Sequence, residues 1–291
     1  MKNLLKEHKD SNELGLSLRK EAVRYIERCH LEDGGYFFAR VLPSGGMDTY
    51  FAVKSLSILG VKPDRQGAIE RFLFGEMKEG QLNDIAGLFT ASEVFSDLGL
   101  LTHDFSLFAR ERIMRFRNEA GGFGVTDGLD VEVTSELQDT YRAVRVMLVN
   151  GGEPDVDGIT RFLSTFLNRD GGYGRAGRST LASTYYSTEI HRLLGRAQAG
   201  TGATVDYLRD VEAEWASAYD SVRVTFVEDL FWLVKSMANL GGSCAYPDKV
   251  KASVLACQRE NGGFSRAAIM GIPTLEYTYY ALSLLKEIGL L

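Results

Sequence analysis

The stretch Arg169–Gly195, RDGGYGRAGRSTLASTYYSTEIHRLLG, decides the fold, because the chain writes it four times. It opens on a double glycine and an aromatic residue, crosses a short loop, and ends as an apolar helix closed by glycine. Glu32–Gly60 (EDGGYFFARVLPSGGMDTYFAVKSLSILG), Glu119–Gly151 (EAGGFGVTDGLDVEVTSELQDTYRAVRVMLVNG) and Glu260–Gly289 (ENGGFSRAAIMGIPTLEYTYYALSLLKEIG) follow the same plan. The double glycines begin at residues 34, 121, 171 and 262, so the gaps between them are 87, 50 and 91 residues. Two of these gaps are nearly twice a unit of about 45 residues, within the range of helical repeats. A degenerate repeat is therefore expected inside each long gap. Glu79–Gly99 and Ala218–Gly241 supply it: both lack the double glycine but keep the apolar helix and its closing glycine. The count is six.

Each repeat contains two kinds of helix. In Pro154–Asp170, residues Ile159, Phe162, Leu163, Phe166 and Leu167 fall at i, i+3, i+4, i+7 and i+8, one stripe on an amphipathic outer helix. Phe105, Phe108, Ile113 and Phe116 suggest the same for Phe105–Arg117. The segments TYFAVKSLSILG and TYYALSLLKEIG carry few charges and are apolar on several faces, as expected of inner helices. The glycines fit helix C-termini that need positive φ. Asp48 and Asp139, before the Thr-Tyr pairs, are expected to cap inner helices or oppose their dipoles. Six hairpins stack as an open solenoid or close into an α6/α6 toroid.

Composition sets outer limits. The 291 residues are 45% hydrophobic and 25% charged, an ordinary globular balance. Residues 1–14 read as a polar N-terminal segment and 15–291 as one repeat domain. A net charge of −6 does not suit nonspecific nucleic-acid binding. Cys29, Cys244 and Cys257 make no disulfide framework, the N-terminus has no secretory core, and no apolar run is long enough for a membrane span. A cytoplasmic setting is expected.

The motifs Gly-Gly-Phe/Tyr, Asp-Thr-Tyr-x-Ala and Leu-x-x-Leu-Gly resemble the repeat of protein prenyltransferase β subunits and of squalene and terpene cyclases. Val254–Phe264 (VLACQRENGGF) is similar to the final repeat of Rab geranylgeranyltransferase β subunits, and also to the Gln-Trp motif of triterpene cyclases with Phe for Trp. The resemblance spans roughly Gly15–Leu291. It implies a toroid whose cavity holds an isoprenoid or prenyl diphosphate. The inner-helix aromatics Tyr50, Tyr141, Tyr185, Trp232 and Tyr277 are its expected lining, alongside Phe51, Phe89, Tyr186, Phe231, Tyr279 and Tyr280. An α-subunit-like helical chain or a second copy is the partner such a family implies.

The resemblance also shows what has changed. Protein prenyltransferases hold a catalytic zinc with Asp and Cys on the fifth inner helix and His on the sixth. Aligned by the closing glycines, these positions fall on Phe226, Glu228 and Tyr277. Zinc is therefore not expected, while magnesium stays open, and transfer to a protein cysteine becomes a poor fit. His8, His30, His103 and His191 do not cluster with cysteines, and Cys29-His30 suit core packing. The Asp-x-Asp-Asp cluster of cyclases is missing too. Its place as an acid falls to Glu228 and Asp229, adjacent carboxylates on an otherwise apolar inner helix. Glu93, Glu189 and Glu276 lie on other inner helices, and Asp127, Asp130 and Glu132 read as a solvated loop. A diphosphate is expected to meet Arg175, Arg178 and Arg223 near inner-helix N-termini, with Tyr219 and Arg266 on the same rim. Arg223 aligns with a diphosphate-binding lysine of the family, whereas Thr180 stands where the family has a diphosphate-binding His. Four functions remain: an isoprenoid transferase, a metal-independent cyclase, a scaffold that kept the fold without the chemistry, and a carbohydrate-processing enzyme, which would need two opposed carboxylates.

Overall fold

The computed structural model describes residues 2–78, 80, 84–124, 133–196, 198, 200–219 and 224–291, with the side chains of 2–12 and 133–135 left aside. Among the described residues it is all helical, with twelve α-helices that form six consecutive hairpins. The outer helices are α1 (Lys2–Arg28), α3 (Gln66–Lys78), α5 (His103–Ile113), α7 (Val156–Ser164), α9 (Thr201–Ser217) and α11 (Pro247–Ala256). The inner helices are α2 (Gly46–Ile58), α4 (Ile85–Leu98), α6 (Val133–Val149), α8 (Leu181–Leu193), α10 (Val227–Asn239) and α12 (Leu275–Glu287). The two degenerate repeats thus form hairpins like the rest.

Burial separates the two sets as the sequence pattern requires. In α8 every residue from Ala182 to His191 is buried, and in α4 all but one from Ile85 to Phe95. By contrast α3 buries Ile69, Phe72 and Leu73, and α11 only Val250 and Val254. The expected stripe of α5 is corrected in detail. Phe105, Ala109 and Ile113 are buried, at i, i+4 and i+8, while Phe108 at the stripe's edge is exposed. A 3-10 turn at Met114–Phe116 takes Phe116 off the helical line.

The double glycine does more than end a helix. A Cβ on the first glycine would lie 2.3 Å from the Ala68 carbonyl oxygen at Gly34, and 2.2 Å from that of Ala203 at Gly171. The bare glycine therefore lets each loop rest on the backbone of the next outer helix. The second glycine meets an aromatic ring of that same helix: Phe72, Phe162, Tyr207 or Tyr25. Asp33, Asp170 and Asn261 accept the N–H of the second glycine two residues on, which explains the Asp or Asn before those double glycines; where Ala120 stands there, Asn118 accepts from Gly122 instead. The aromatic that follows (Tyr36, Phe123, Tyr173, Phe264) is buried. Its backbone N–H donates to a threonine Oγ1 of its own inner helix, at 2.9–3.1 Å.

The chain forms two compact units. One comprises Met1–Leu73, Val222–Phe231 and Tyr246–Leu291; the other comprises Phe74–Ser221 and Trp232–Ala245. In the first, α12 packs along α2, and Gly262 sits against the carbonyl of Glu21 in α1. The last repeat thereby docks on the first as the other double-glycine repeats dock on their successors. In the second, α6 packs between α4 and α8, and Leu208, Leu233 and Met237 centre a buried apolar cluster.

Candidate functional site

In the first unit, the start of α10 and the loop before α12 meet. The backbone N–H of Val227 donates to the Arg266 carbonyl at 2.9 Å. This contact holds the Arg266 guanidinium against two residues of the α10 start. Its Nε donates to Glu228 Oε1 at 2.5 Å, and its centre lies 4.2 Å from the centroid of the Phe226 ring. The Glu228 side chain is 8% exposed and that of Arg266 45%. Glu228 Oε2 is buried and accepts no hydrogen bond from the described residues. Tyr277, in the first turn of α12, lies within reach of the same charges: burial and the nearby Glu228 and Glu276 push its phenol up, and Arg266 opposes them. Its backbone N–H is capped by Thr274 Oγ1. Asp229 follows Glu228 in the first turn of α10 and is half-buried.

These are the positions where the family resemblance places zinc ligands, and their chemistry does not fit the metal. Phe226 has no donor atom. Glu228 has one oxygen engaged by a cation. The Tyr277 phenol is pushed up, away from the ionised form that would bind a metal, and the Arg266 guanidinium already pairs with Glu228. Among the described residues, no three His, Cys, Asp or Glu side chains gather in a manner suited to a metal ion.

Next to this corner the inner helices α2, α10 and α12 bring aromatic rings together. Tyr50 contacts Phe51 and Tyr279, with centroids 5.2 and 6.1 Å apart, and Phe231 packs on Tyr280 at 4.7 Å. The Tyr280 hydroxyl donates to Glu276 Oε1 at 3.0 Å. Asp48 stands in the first turn of α2. Burial, reinforced by the charge of Glu276, pushes its carboxyl up to about 6, against a hydrogen bond from the Phe38 backbone. Of the two roles expected of Asp48 and Asp139, capping is corrected for both, whereas Asp48 does stand in the first turn of α2, where its charge opposes the helix dipole. The N-cap of α2 is Gly45, and Asp139 lies beyond the first turn of α6, 3.4 Å from Arg142. The residue after each Asp, Thr49 or Thr140, makes the recurring bond instead.

The second unit has its own aromatic row. Tyr141 lies 6.0 Å from Phe89, 6.3 Å from Tyr185 and 5.6 Å from Tyr186, centroid to centroid. Trp232 is half-buried, and its indole N–H has no partner among the described residues. The inner-helix carboxylates here are matched. Arg145 holds Glu93 with two bonds of 2.7 Å, and Arg192 holds Glu189 with two of 2.5 and 3.1 Å.

Of the arginines expected to bind diphosphate, two lie among the described residues. Arg175 and Arg178 share one exposed turn, closed by Arg178 N–H to Arg175 carbonyl at 2.9 Å. The Arg175 side chain pairs with Glu136 and lies 5.6 Å from the Phe166 ring, beside an open cavity of about 380 Å³ that Asn118 and Phe162 also line. Arg223 lies outside the described residues, as do Asp127, Asp130 and Glu132. Tyr219 stacks edge-on against Trp215. Thr180 is the N-cap of α8, accepting from Ser183 N–H. Cys29 is fully buried, and His30 packs edge-on against Tyr36 at 4.8 Å.

Two features escaped sequence reasoning. The Arg266–Glu228 pair spans 38 residues, and no local pattern announces it. The threonines did carry a signal, since Thr-Tyr recurs in all four clear repeats.

Comparison with known proteins places the chain. The family model for the prenyltransferase alpha-alpha toroid domain matches residues 2–98, 88–213 and 200–289. The chain belongs to this family. Its fold is similar to that of a solved structure, "Candida albicans protein geranylgeranyltransferase-I complexed with GGPP", at 16% identity and a TM-score of 0.66. That match covers 92% of this chain and 90% of the other. No curated protein matches by sequence. No helix among the described residues is long and apolar enough to cross a membrane.

Proposed function

We propose that the protein is a prenyltransferase-like enzyme that binds a prenyl diphosphate, or another isoprenoid, and works without zinc. The observation that carries this reading is the pairing of aromatic inner helices with an arginine at the family's zinc position. Rings in mutual contact on α2, α10 and α12 suit an apolar, unsaturated chain. Arg266, clamped by Glu228 and Phe226, supplies the fixed positive charge there. Glu228 and Asp229 are the proposed catalytic carboxylates, Arg175, Arg178 and Arg223 the proposed diphosphate contacts, and Tyr50, Tyr141, Tyr185, Trp232 and Tyr277 the proposed lining. A cytoplasmic location and a helical partner subunit or homodimer belong to the same reading. Two measurements test it. Isothermal calorimetry with geranylgeranyl diphosphate is expected to give a dissociation constant of about micromolar. Elemental analysis after dialysis is expected to find zinc far below one per chain. A tightly held stoichiometric zinc, or no binding of the prenyl diphosphate, overturns the proposal.

A second reading, a metal-independent terpene cyclase, is favoured by Asp48. Its carboxyl, pushed up to about 6 beside the α2 and α12 aromatics, suits a proton donor. Glu228, engaged by a guanidinium, suits an acceptor. A cyclic hydrocarbon formed from geranylgeranyl diphosphate, and lost in Asp48→Asn, would select this reading over transfer.

A further inference from the structure

We propose that the Arg266–Glu228 corner is the acceptor subsite, and that it takes a protic oxygen or nitrogen nucleophile (an alcohol, phenol or amine) in place of a thiolate. The inference rests on the prenyl-transfer reading above and specifies its second substrate.

The geometry asks for a ligand group of two characters. Glu228 is more than nine-tenths buried, and its Oε2 accepts nothing. A buried acceptor without a donor is a costly arrangement in a folded chain. Beside it, Arg266 uses only its Nε on Glu228; its side chain is 45% exposed, and its two Nη groups have no hydrogen-bond partner among the described residues. A hydroxyl satisfies both sides: its O–H donates to the carboxylate and one lone pair accepts from the guanidinium, which leaves the other for attack; an amine donates its N–H to the carboxylate and keeps its single pair for attack. A thiolate offers no proton, leaves Oε2 unsatisfied and sets a second anion beside the first. The last torsion of a glutamate is broad and two-fold, so a turn of the carboxyl exchanges the engaged and free oxygens. The half-exposed guanidinium is the group that gives way to an entering acceptor. Phe226 lies against it, and Tyr277 and Asp229 are near enough to feel its charge.

The step balances without a metal or a redox partner. The nucleophile's oxygen or nitrogen pair forms a bond to C1 of the prenyl diphosphate. The C1–O bond breaks, and its electron pair leaves on the diphosphate. The X–H proton passes to Glu228. Arg266 touches the nucleophile and holds it in line.

Purified protein is given geranylgeranyl diphosphate with ethanol and ethanethiol at equal concentration, and products are separated by mass spectrometry after subtracting the protein-free background. The expected products are the ethyl prenyl ether and the prenyl alcohol from water, at least tenfold over the thioether. Glu228→Gln is expected to lower ether formation about a hundredfold while the dissociation constant for geranylgeranyl diphosphate stays within twofold. Arg266→Met is expected to lower it about tenfold, with partial recovery in Arg266→Lys. Thioether as the main product, bound diphosphate without turnover, or full activity in Glu228→Gln overturns the acceptor assignment alone. Failure of the unmutated protein to bind geranylgeranyl diphosphate overturns the prenyl-transfer reading and this subsite with it. The ether-to-thioether ratio needs no variant, so it decides even if a substituted protein does not fold.

Discussion

The two units use the same parts to different ends. Both align aromatic rings along inner helices, and both place carboxylates on those helices. In the second unit, Glu93 and Glu189 are each gripped by an arginine through two hydrogen bonds. In the first, Glu228 shares one oxygen with Arg266 and leaves the other unsatisfied, while Asp48 is raised by burial next to Glu276. A charged residue on an apolar helix is therefore not in itself a sign of chemistry. The sign is a buried charge whose hydrogen-bonding capacity is only partly used. By that measure Glu93 and Glu189 read as structural, and Glu228 and Asp48 are the carboxylates with a proposed chemical part.

The largest expected effect lies in what the units share. Gly171→Ala and Gly262→Ala each force a Cβ to about 2.2–2.3 Å from a helix carbonyl oxygen, at φ +87° and +90°. Each is expected to destabilise the protein by roughly 3 kcal/mol or more in chemical denaturation. A loss below about 1 kcal/mol at either site would mean that the joint yields readily.

A smaller effect separates the units. Glu93→Gln breaks a bidentate pair around a 2%-exposed carboxylate, with Arg145 about a quarter exposed. About 2–3 kcal/mol is expected, discounted for that exposure. Glu228→Gln, by the same urea titration, is expected to lose about 1 kcal/mol or less, because one oxygen was already unsatisfied and Arg266 is half in solvent. Equal losses would erase the distinction between a structural and a functional carboxylate.

Asp48→Asn should act in the opposite direction and only at higher pH. A carboxyl raised from 3.8 to about 6 binds its proton more tightly in the folded state. Stability therefore falls as pH rises from about 4 through 6, and the cost is complete above that range. Removing the charge is expected to stabilise the fold by about 1 kcal/mol at pH 7.5, after discount for partial exposure, and hardly at pH 4. Thermal melts of both proteins across this range check the sign. A stabilisation that grows toward low pH would refute the buried-carboxylate account.

The smallest effect is expected at Arg175. Its guanidinium is committed to Glu136 and the Phe166 ring. Arg175→Ala should weaken binding of geranylgeranyl diphosphate less than threefold by calorimetry. Arg178, exposed on the same turn, should matter more if that turn meets the diphosphate. A tenfold loss in Arg175→Ala would mean that its guanidinium leaves Glu136 to take a full share of the diphosphate.

Much of this protein is determined locally and is written in its sequence. The repeat count follows from the spacing of glycines, since positive φ at a helix end is a demand of one residue's own backbone: φ is +68° at Gly60 and +77° at Gly289. Inner and outer helices were legible because burial acts on whole faces, and a face shows itself within a few turns of sequence. Alignment of the repeats by their closing glycines puts Phe226, Glu228 and Tyr277 where the resemblance expects zinc ligands, and that reading uses residue types alone. Only the tertiary structure decided the rest. The double glycine's second purpose, close approach to the next outer helix, depends on a neighbour one repeat away. Thr49 finds the N–H of Tyr36 across 13 residues, while Thr184 finds that of Tyr173 across 11, so loop length conceals the shared bond. Whether Asp48 caps a helix or holds a raised proton turned on burial and on Glu276, more than two hundred residues away. Glu228 became half of an ion pair because Arg266 is brought to it from the next hairpin. Electrostatics and desolvation depend on distance in space, and a sequence records distance only along the chain.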